Sequence, residues 1–120
     1  MNWDKVLPQE ELPDGHRRVV EVDGRPVLLL NHHGSFYAVN NECPHMGASL
    51  ENGEVTENAT LICPRHHSTF DLQTGAVKEW TPWPPGVGRV LGSISREKAL
   101  PVYPTRLDQG SIWVGTEDPG

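Results

Sequence analysis

Short apolar and β-branched runs interrupted by turn residues divide this chain, and they predict strands and hairpins in place of helices. His16 to Val22 and Arg25 to Leu30 flank Asp23-Gly24, a dipeptide that tolerates the positive φ of a two-residue hairpin. A third strand is expected from Ser35 to Val39, after His32-His33-Gly34, which reads as a solvated turn. Leu50 to Val55 and Ala59 to Ile62 read as a departing and an approaching strand, and Phe70 to Val77 as a hairpin turn. Pro101 to Leu107 and Ser111 to Gly115 form a last pair around Asp108-Gln109-Gly110. Strands of this length at such intervals imply an all-β fold, an antiparallel β-sandwich or incomplete barrel. With 120 residues the chain has room for one domain, expected to span 1–120, and none for a second catalytic module.

One stretch breaks this rhythm. Trp80-Thr81-Pro82-Trp83-Pro84-Pro85-Gly86, continuing to Lys98, lengthens the connection to the final strands (about 80–98). Its prolines restrict the backbone to extended or polyproline conformations, which predicts an ordered excursion. Trp80 and Trp83 either seal one end of the core or offer an aromatic surface to a partner. Asp118-Pro119-Gly120 reads as a frayed end.

Charge narrows the partners. A net charge of −6 and a pI near 5.4 disfavour nucleic acid, whose phosphates call for basic clusters. An acidic surface suits a protein partner with a basic docking patch. The longest apolar stretch is Val27-Leu28-Leu29-Leu30, far short of the roughly 20 residues that span a bilayer, and Met1-Asn2-Trp3-Asp4-Lys5 begins no signal-peptide apolar region.

The chemistry is concentrated in two short patterns, Cys43-Pro44-His45 and Cys63-Pro64-Arg65-His66, separated by the seventeen residues 46 to 62. They use both cysteines of the chain. Each supplies a soft thiolate and an imidazole, so the two together could bind two irons of unequal character, Cys₂ on one and His₂ on the other. The same donors could hold a structural zinc, although zinc patterns usually pair cysteine with cysteine and histidine with histidine. A disulfide between Cys43 and Cys63 is the other reading of the cysteines, and it leaves the histidines without a role.

The two patterns, with Met46-Gly47-Ala48 after the first and Ser68-Thr69-Phe70-Asp71 after the second, closely resemble the signature of the Rieske ferredoxin family. The resemblance covers roughly residues 3 to 116 and is strongest at the two loops. It implies two cluster-binding loops, at 43–50 and 63–70, that grip one [2Fe–2S] cluster through Cys43, His45, Cys63 and His66. Gly47 would then allow close backbone approach, and Pro44 and Pro64 would help the loops curve. His67 departs from the family, where glycine is usual, and offers a second candidate ligand; the family register selects His66. The remaining histidines, His16, His32, His33 and His67, are too poorly spaced to build the second iron site that Rieske oxygenases carry in a much larger domain.

The resemblance also implies what the surrounding residues do. Replacing two thiolates by neutral imidazoles removes negative charge and eases reduction, giving potentials of about −150 to +300 mV for such centres. Donors to sulfur raise the potential further. Ser68 occupies a serine-donor position, while Phe70 stands where high-potential members have tyrosine, and Ala48 and Arg65 where they have a disulfide. The expected potential is therefore low to middle in that range, with Arg65 offsetting part of the loss by its charge. With both cysteines committed to the cluster, a reducing cytoplasm is the expected compartment. The implied function is a soluble one-electron carrier between a reductase and an oxygenase or related redox enzyme, with no catalytic residues. A small Rieske subunit of a larger, nitrite-reductase-like oxidoreductase is one alternative, and a zinc-binding interaction module is another.

Overall fold

The computed structural model describes residues 2–44, 49–64, 68–79 and 99–116. Among them the chain forms eleven strands and one short 3₁₀ turn, Gln9–Glu11. The strands are β1 Asn2–Pro8, β2 Arg17–Val22, β3 Arg25–His32, β4 Ser35–Asn40, β5 Glu54–Val55 and β6 Thr60–Ile62. They continue with β7 Thr69–Asp71, β8 Val77–Glu79, β9 Val102–Tyr103, β10 Thr105–Asp108 and β11 Ser111–Thr116. All pairings are antiparallel, in three sheets ordered β1-β11-β10, β2-β3-β4-β9 and β5-β6-β7-β8. This is the all-β antiparallel architecture that the strand spacing implies.

The turns obey the local chemistry. Val22 pairs with Arg25, leaving Asp23 (φ 53°) and Gly24 (φ 75°) as the two-residue connection of β2 and β3. His32 pairs with Ser35, and His33 (φ 53°) and Gly34 (φ 88°) make a turn of the same kind. Gln109 (φ 50°) and Gly110 (φ 76°) repeat it between β10 and β11.

The middle sheet is apolar on both faces. Leu28, Leu30 and Val39 belong to one buried cluster with Leu50, Leu61, Phe70, Leu72 and Leu100. Val27, Leu29 and Ala38 belong to a second with Leu7, Leu12, Val22, Ile112 and Val114. Successive side chains of a strand point to opposite faces. The continuous run Val27-Leu28-Leu29-Leu30 is therefore the signature of a strand covered on both sides, each fully buried side chain contributing about 1.5–3 kcal/mol.

Three features depart from the sequence-based expectation. The stretch Leu50 to Val55, expected as a departing strand, begins as a turn closed by the Gly53 amide on the Leu50 carbonyl, and only Glu54–Val55 pairs with β6. The stretch 101–107, expected as one strand, is broken at Pro104: β9 pairs with β4, and β10 pairs with β11 in a different sheet. Proline has no amide hydrogen to continue a ladder, and its position lets the chain change sheets. The first strand, β1, has no counterpart in the apolar pattern; it pairs with β11 along Asn2 to Pro8, with an irregularity between Lys5 and Leu7. The excursion at 80–98, with Trp80 and Trp83, lies outside the described residues, as does the end from 117 to 120.

Candidate metal centre

Both cysteine loops rise from hydrogen-bonded stems. The first leaves β4, whose last residue Asn40 donates its amide to the Pro101 carbonyl at 2.9 Å, and whose successor Asn41 donates to the Pro26 carbonyl at 2.9 Å. The buried Asn41 side chain then reaches across the loop base. Its Nδ2 donates to Ser49 Oγ at 3.1 Å, and its Oδ1 accepts the buried Leu50 amide at 3.1 Å. The orientation of the carboxamide is fixed by these partners, since only an oxygen can accept from a backbone N–H. The chain next turns tightly, with Gly53 N–H donating to the Leu50 carbonyl at 2.9 Å. Arg17 of β2 clamps this turn through its Nη1, which donates to the Glu51 carbonyl at 3.1 Å and to the Gly53 carbonyl.

The second loop is a hairpin extension of β6 and β7. Ile62 pairs with Thr69, and the Cys63 amide donates to the Ser68 carbonyl at 2.8 Å, which closes residues 63–68 at their base. The two stems touch. A Cβ on Gly53 would lie 2.5 Å from the Ile62 carbonyl oxygen, so a bare backbone is needed where the first stem passes the residue before Cys63.

Of the residues expected at the cluster, the structure describes Cys43, Cys63, Ser68 and Phe70, and it buries all four: Cys43 is 3% exposed, Cys63 1%, and Ser68 and Phe70 are fully inaccessible. Both cysteines belong to the same hydrophobic cluster, walled by Leu28, Leu30, Val39, Leu50, Leu61, Phe70, Leu72 and Leu100. Phe70 contributes a buried apolar ring, in keeping with its lack of a hydroxyl. His45, Gly47, Arg65, His66 and His67 lie outside the described residues. His32 and His33 sit in the β3–β4 hairpin, away from the cysteine loops in sequence. The half-exposed His33 ring meets Glu57 Oε2 at 3.2 Å and Asp14 Oδ2 at 3.9 Å, which fits a solvated turn.

The donor set fits an iron–sulfur group. Cys43 and Cys63 lie in one apolar cluster and each is followed in sequence by a histidine, soft thiolate ligands suit iron and sulfide, and burial at this depth would limit solvent access to a bound metal. Sequence reasoning identified the cysteine loops but missed Asn41 and Arg17. The signal for Asn41 is the Asn40-Asn41 pair closing β4, a residue type that bonds nearby backbone; for Arg17 there is none, because its partners are remote in sequence.

The fold and the two buried cysteines are consistent with a [2Fe–2S] protein, and the family match identifies the class. Residues 2–104 match the Rieske [2Fe-2S] domain, and the chain belongs to that family, whose cofactor is a Rieske-type iron–sulfur cluster. Among individual proteins it is similar to the 3-phenylpropionate/cinnamic acid dioxygenase ferredoxin subunit of Escherichia coli, at 38% identity over 115 residues, covering 95% of this chain and 93% of the relative. It is also similar to the ferredoxin component of the alkene monooxygenase system of Xanthobacter autotrophicus, at 31% identity over 112 residues, 93% of this chain and 80% of that one. In fold it matches the ferredoxin of carbazole 1,9a-dioxygenase from Nocardioides aromaticivorans, with a TM-score of 0.77 at 24% identity over 98% of this chain and 100% of that one. A chain of the oxygenase–ferredoxin complex of carbazole 1,9a-dioxygenase matches over only 30% of its own length, with a TM-score of 0.78 at 22% identity. The protein is thus an electron carrier of the ferredoxin class and not an enzyme in its own right.

Proposed function

We propose that this protein carries single electrons from a reductase to an oxygenase, through one cluster held by Cys43, His45, Cys63 and His66 in a single domain spanning 1–120, and that it works in the cytoplasm. The observation that supports the ligand assignment is the burial of Cys43 and Cys63 in one apolar wall, with the stem at Gly53 packed against Ile62, the residue before Cys63. The partner assignment is supported by the ferredoxin components of oxygenase systems to which the chain is similar over most of its length. Bound there, the cluster supplies reversible uptake of one electron. The chain's own contribution is rigidity and exclusion of water: hydrogen-bonded stems keep the ligand geometry the same in both redox states, and the surrounding leucines and Phe70 keep solvent from the thiolates. Ser68, buried beside Cys63, is the proposed donor that tunes the potential, and Arg65 and His67 are its charged and titratable neighbours in sequence. His45 and His66 are the proposed exit point for the electron.

The test is iron, acid-labile sulfide and zinc analysis of anaerobically purified protein, with electron paramagnetic resonance after dithionite reduction. The expected result is about two irons and two sulfides per chain and a rhombic signal with the low average g of a histidine-ligated cluster. A colourless, silent sample with one zinc that resists reconstitution with iron and sulfide would refute the reading.

A further inference from the structure

We infer that Asn41 is a positioning residue that closes the base of the first ligand loop and so controls how firmly the cluster is retained. The inference rests on the cluster assignment above. Residues 42–48, which include Cys43 and His45, lie in sequence between Asn41 and Ser49, and the Asn41 carboxamide bridges that interval by bonding Ser49 and Leu50 on its far side. Asn41 is itself anchored, because its backbone amide is held by the Pro26 carbonyl in the β2–β3 hairpin. Leu50 on the far side is anchored too, its side chain buried in the wall that holds both cysteines. The Asn41 side chain therefore joins two fixed points and makes the loop between them a closed ring. The second ligand loop achieves the same closure with backbone alone, through Cys63 and Ser68. In the first, β4 and β5 are not paired with each other among the described residues. A side chain does here what strand pairing does there.

Closure of this kind matters most when a ligand dissociates. A detached thiolate or imidazole on a closed loop stays near its metal and rebinds, whereas opening the loop base multiplies the accessible conformations and lowers the local concentration of the ligand. The Leu50 amide gives the closure its strength, because it is buried and has its acceptor in Asn41 Oδ1. The Ser49 contact lies on an exposed residue and contributes less.

The experiment uses the full chain with its cluster, as wild type, Asn41→Ala, Asn41→Asp and Ser49→Ala. Iron and sulfide analysis of the wild type comes first: a wild type without both overturns the cluster assignment itself, independently of Asn41. With a loaded wild type, cluster release into a chelator is followed by loss of visible absorbance, and exchange of the Leu50 amide by nuclear magnetic resonance or mass spectrometry. Asn41→Ala is expected to raise both rates about tenfold or more, as an unpaired buried amide implies. Ser49→Ala is expected to stay within about twofold of wild type, as an exposed substitution should. Asn41→Asp keeps the shape and accepts from both the Leu50 amide and the Ser49 hydroxyl, so it should retain the cluster as wild type does. Its added negative charge should also lower the reduction potential, a change that mere loss of packing would not produce. Asn41→Ala with wild-type release and exchange rates overturns the inference, as does Asn41→Asp that loses its cluster as fast as Asn41→Ala. If the alanine variant does not fold, the aspartate and Ser49 variants decide alone, by retention or loss of the cluster.

Discussion

Replacing Gly75 by alanine should be among the most damaging single-methyl changes in this protein. Gly75 is buried in the turn between β7 and β8 with φ of +78°, and an added Cβ would lie 1.9 Å from the Leu100 carbonyl oxygen and 3.2 Å from Val102 Cγ1. The first cost is conformational, about 1–2 kcal/mol for an L side chain in the left-handed region. The second is the collision, which no rotamer relieves because both partners are fixed: Gly75 N–H bonds the Asp71 carbonyl at 2.7 Å, and Leu100 N–H bonds the Gly75 carbonyl at 2.9 Å. Escape requires the Leu100 segment to withdraw, which breaks one bond of about 1 kcal/mol and loosens the buried Leu100 and its neighbours by a further ~1–3 kcal/mol. The total is about 3–6 kcal/mol, a large share of the 5–15 kcal/mol that holds a typical domain together. Gly24→Ala is the control. Gly24 has φ of +75° and nothing within 4 Å of its would-be Cβ, so it should lose only the conformational part, about 1–2 kcal/mol. Denaturant unfolding of the two variants, fitted with a common slope, isolates the collision as their difference, expected at ~2–4 kcal/mol. Equal destabilisation of Gly75→Ala and Gly24→Ala would show that the 99–100 segment does not press on this turn, and would refute the packing described here.

Further predictions concern the cluster and its support. Ser68→Ala should lower the reduction potential by about 60–130 mV, the one-electron equivalent of a hydrogen bond to a charged acceptor of ~1.5–3 kcal/mol, as read by protein-film voltammetry; an unchanged potential would remove Ser68 as the donor. His66→Ala should abolish the intact cluster while His67→Ala leaves about two irons per chain, and the opposite result would reassign the ligand. Arg17→Ala removes a cation that holds the Glu51 and Gly53 carbonyls, so unfolding free energy should fall by about 1–3 kcal/mol, with faster amide exchange concentrated around residues 51–53. Asp71→Ala strips the acceptor of the Gln73 and Thr74 amides at 2.8 and 3.0 Å, and with that turn exposed the loss should stay near 1 kcal/mol in the same assay.

The sequence by itself determined whatever depends on neighbours in the chain. Asp23-Gly24, His33-Gly34 and Gln109-Gly110 specify their hairpins because positive φ is a local property, and the residues between them are too β-branched and apolar to do otherwise. The two cysteine patterns were equally legible, since their residue types and spacing are written a few positions apart. Tertiary structure decided the rest. Nothing in Asn2 to Pro8 announces a strand, because β1 is defined by β11, more than a hundred residues away. Pro104 is where the chain changes sheets, and its effect depends on which strands, β4 and β11, wait on either side. Val27-Leu28-Leu29-Leu30 shows its meaning only when sheets cover both its faces. At the site, Arg17 reaches the turn at 51–53 and Gly53 meets the residue before Cys63, contacts that no local pattern encodes. Turns and ligand motifs are short-range and chemically distinctive, whereas the partners that close a loop or cover a strand are chosen by the packing of the whole chain.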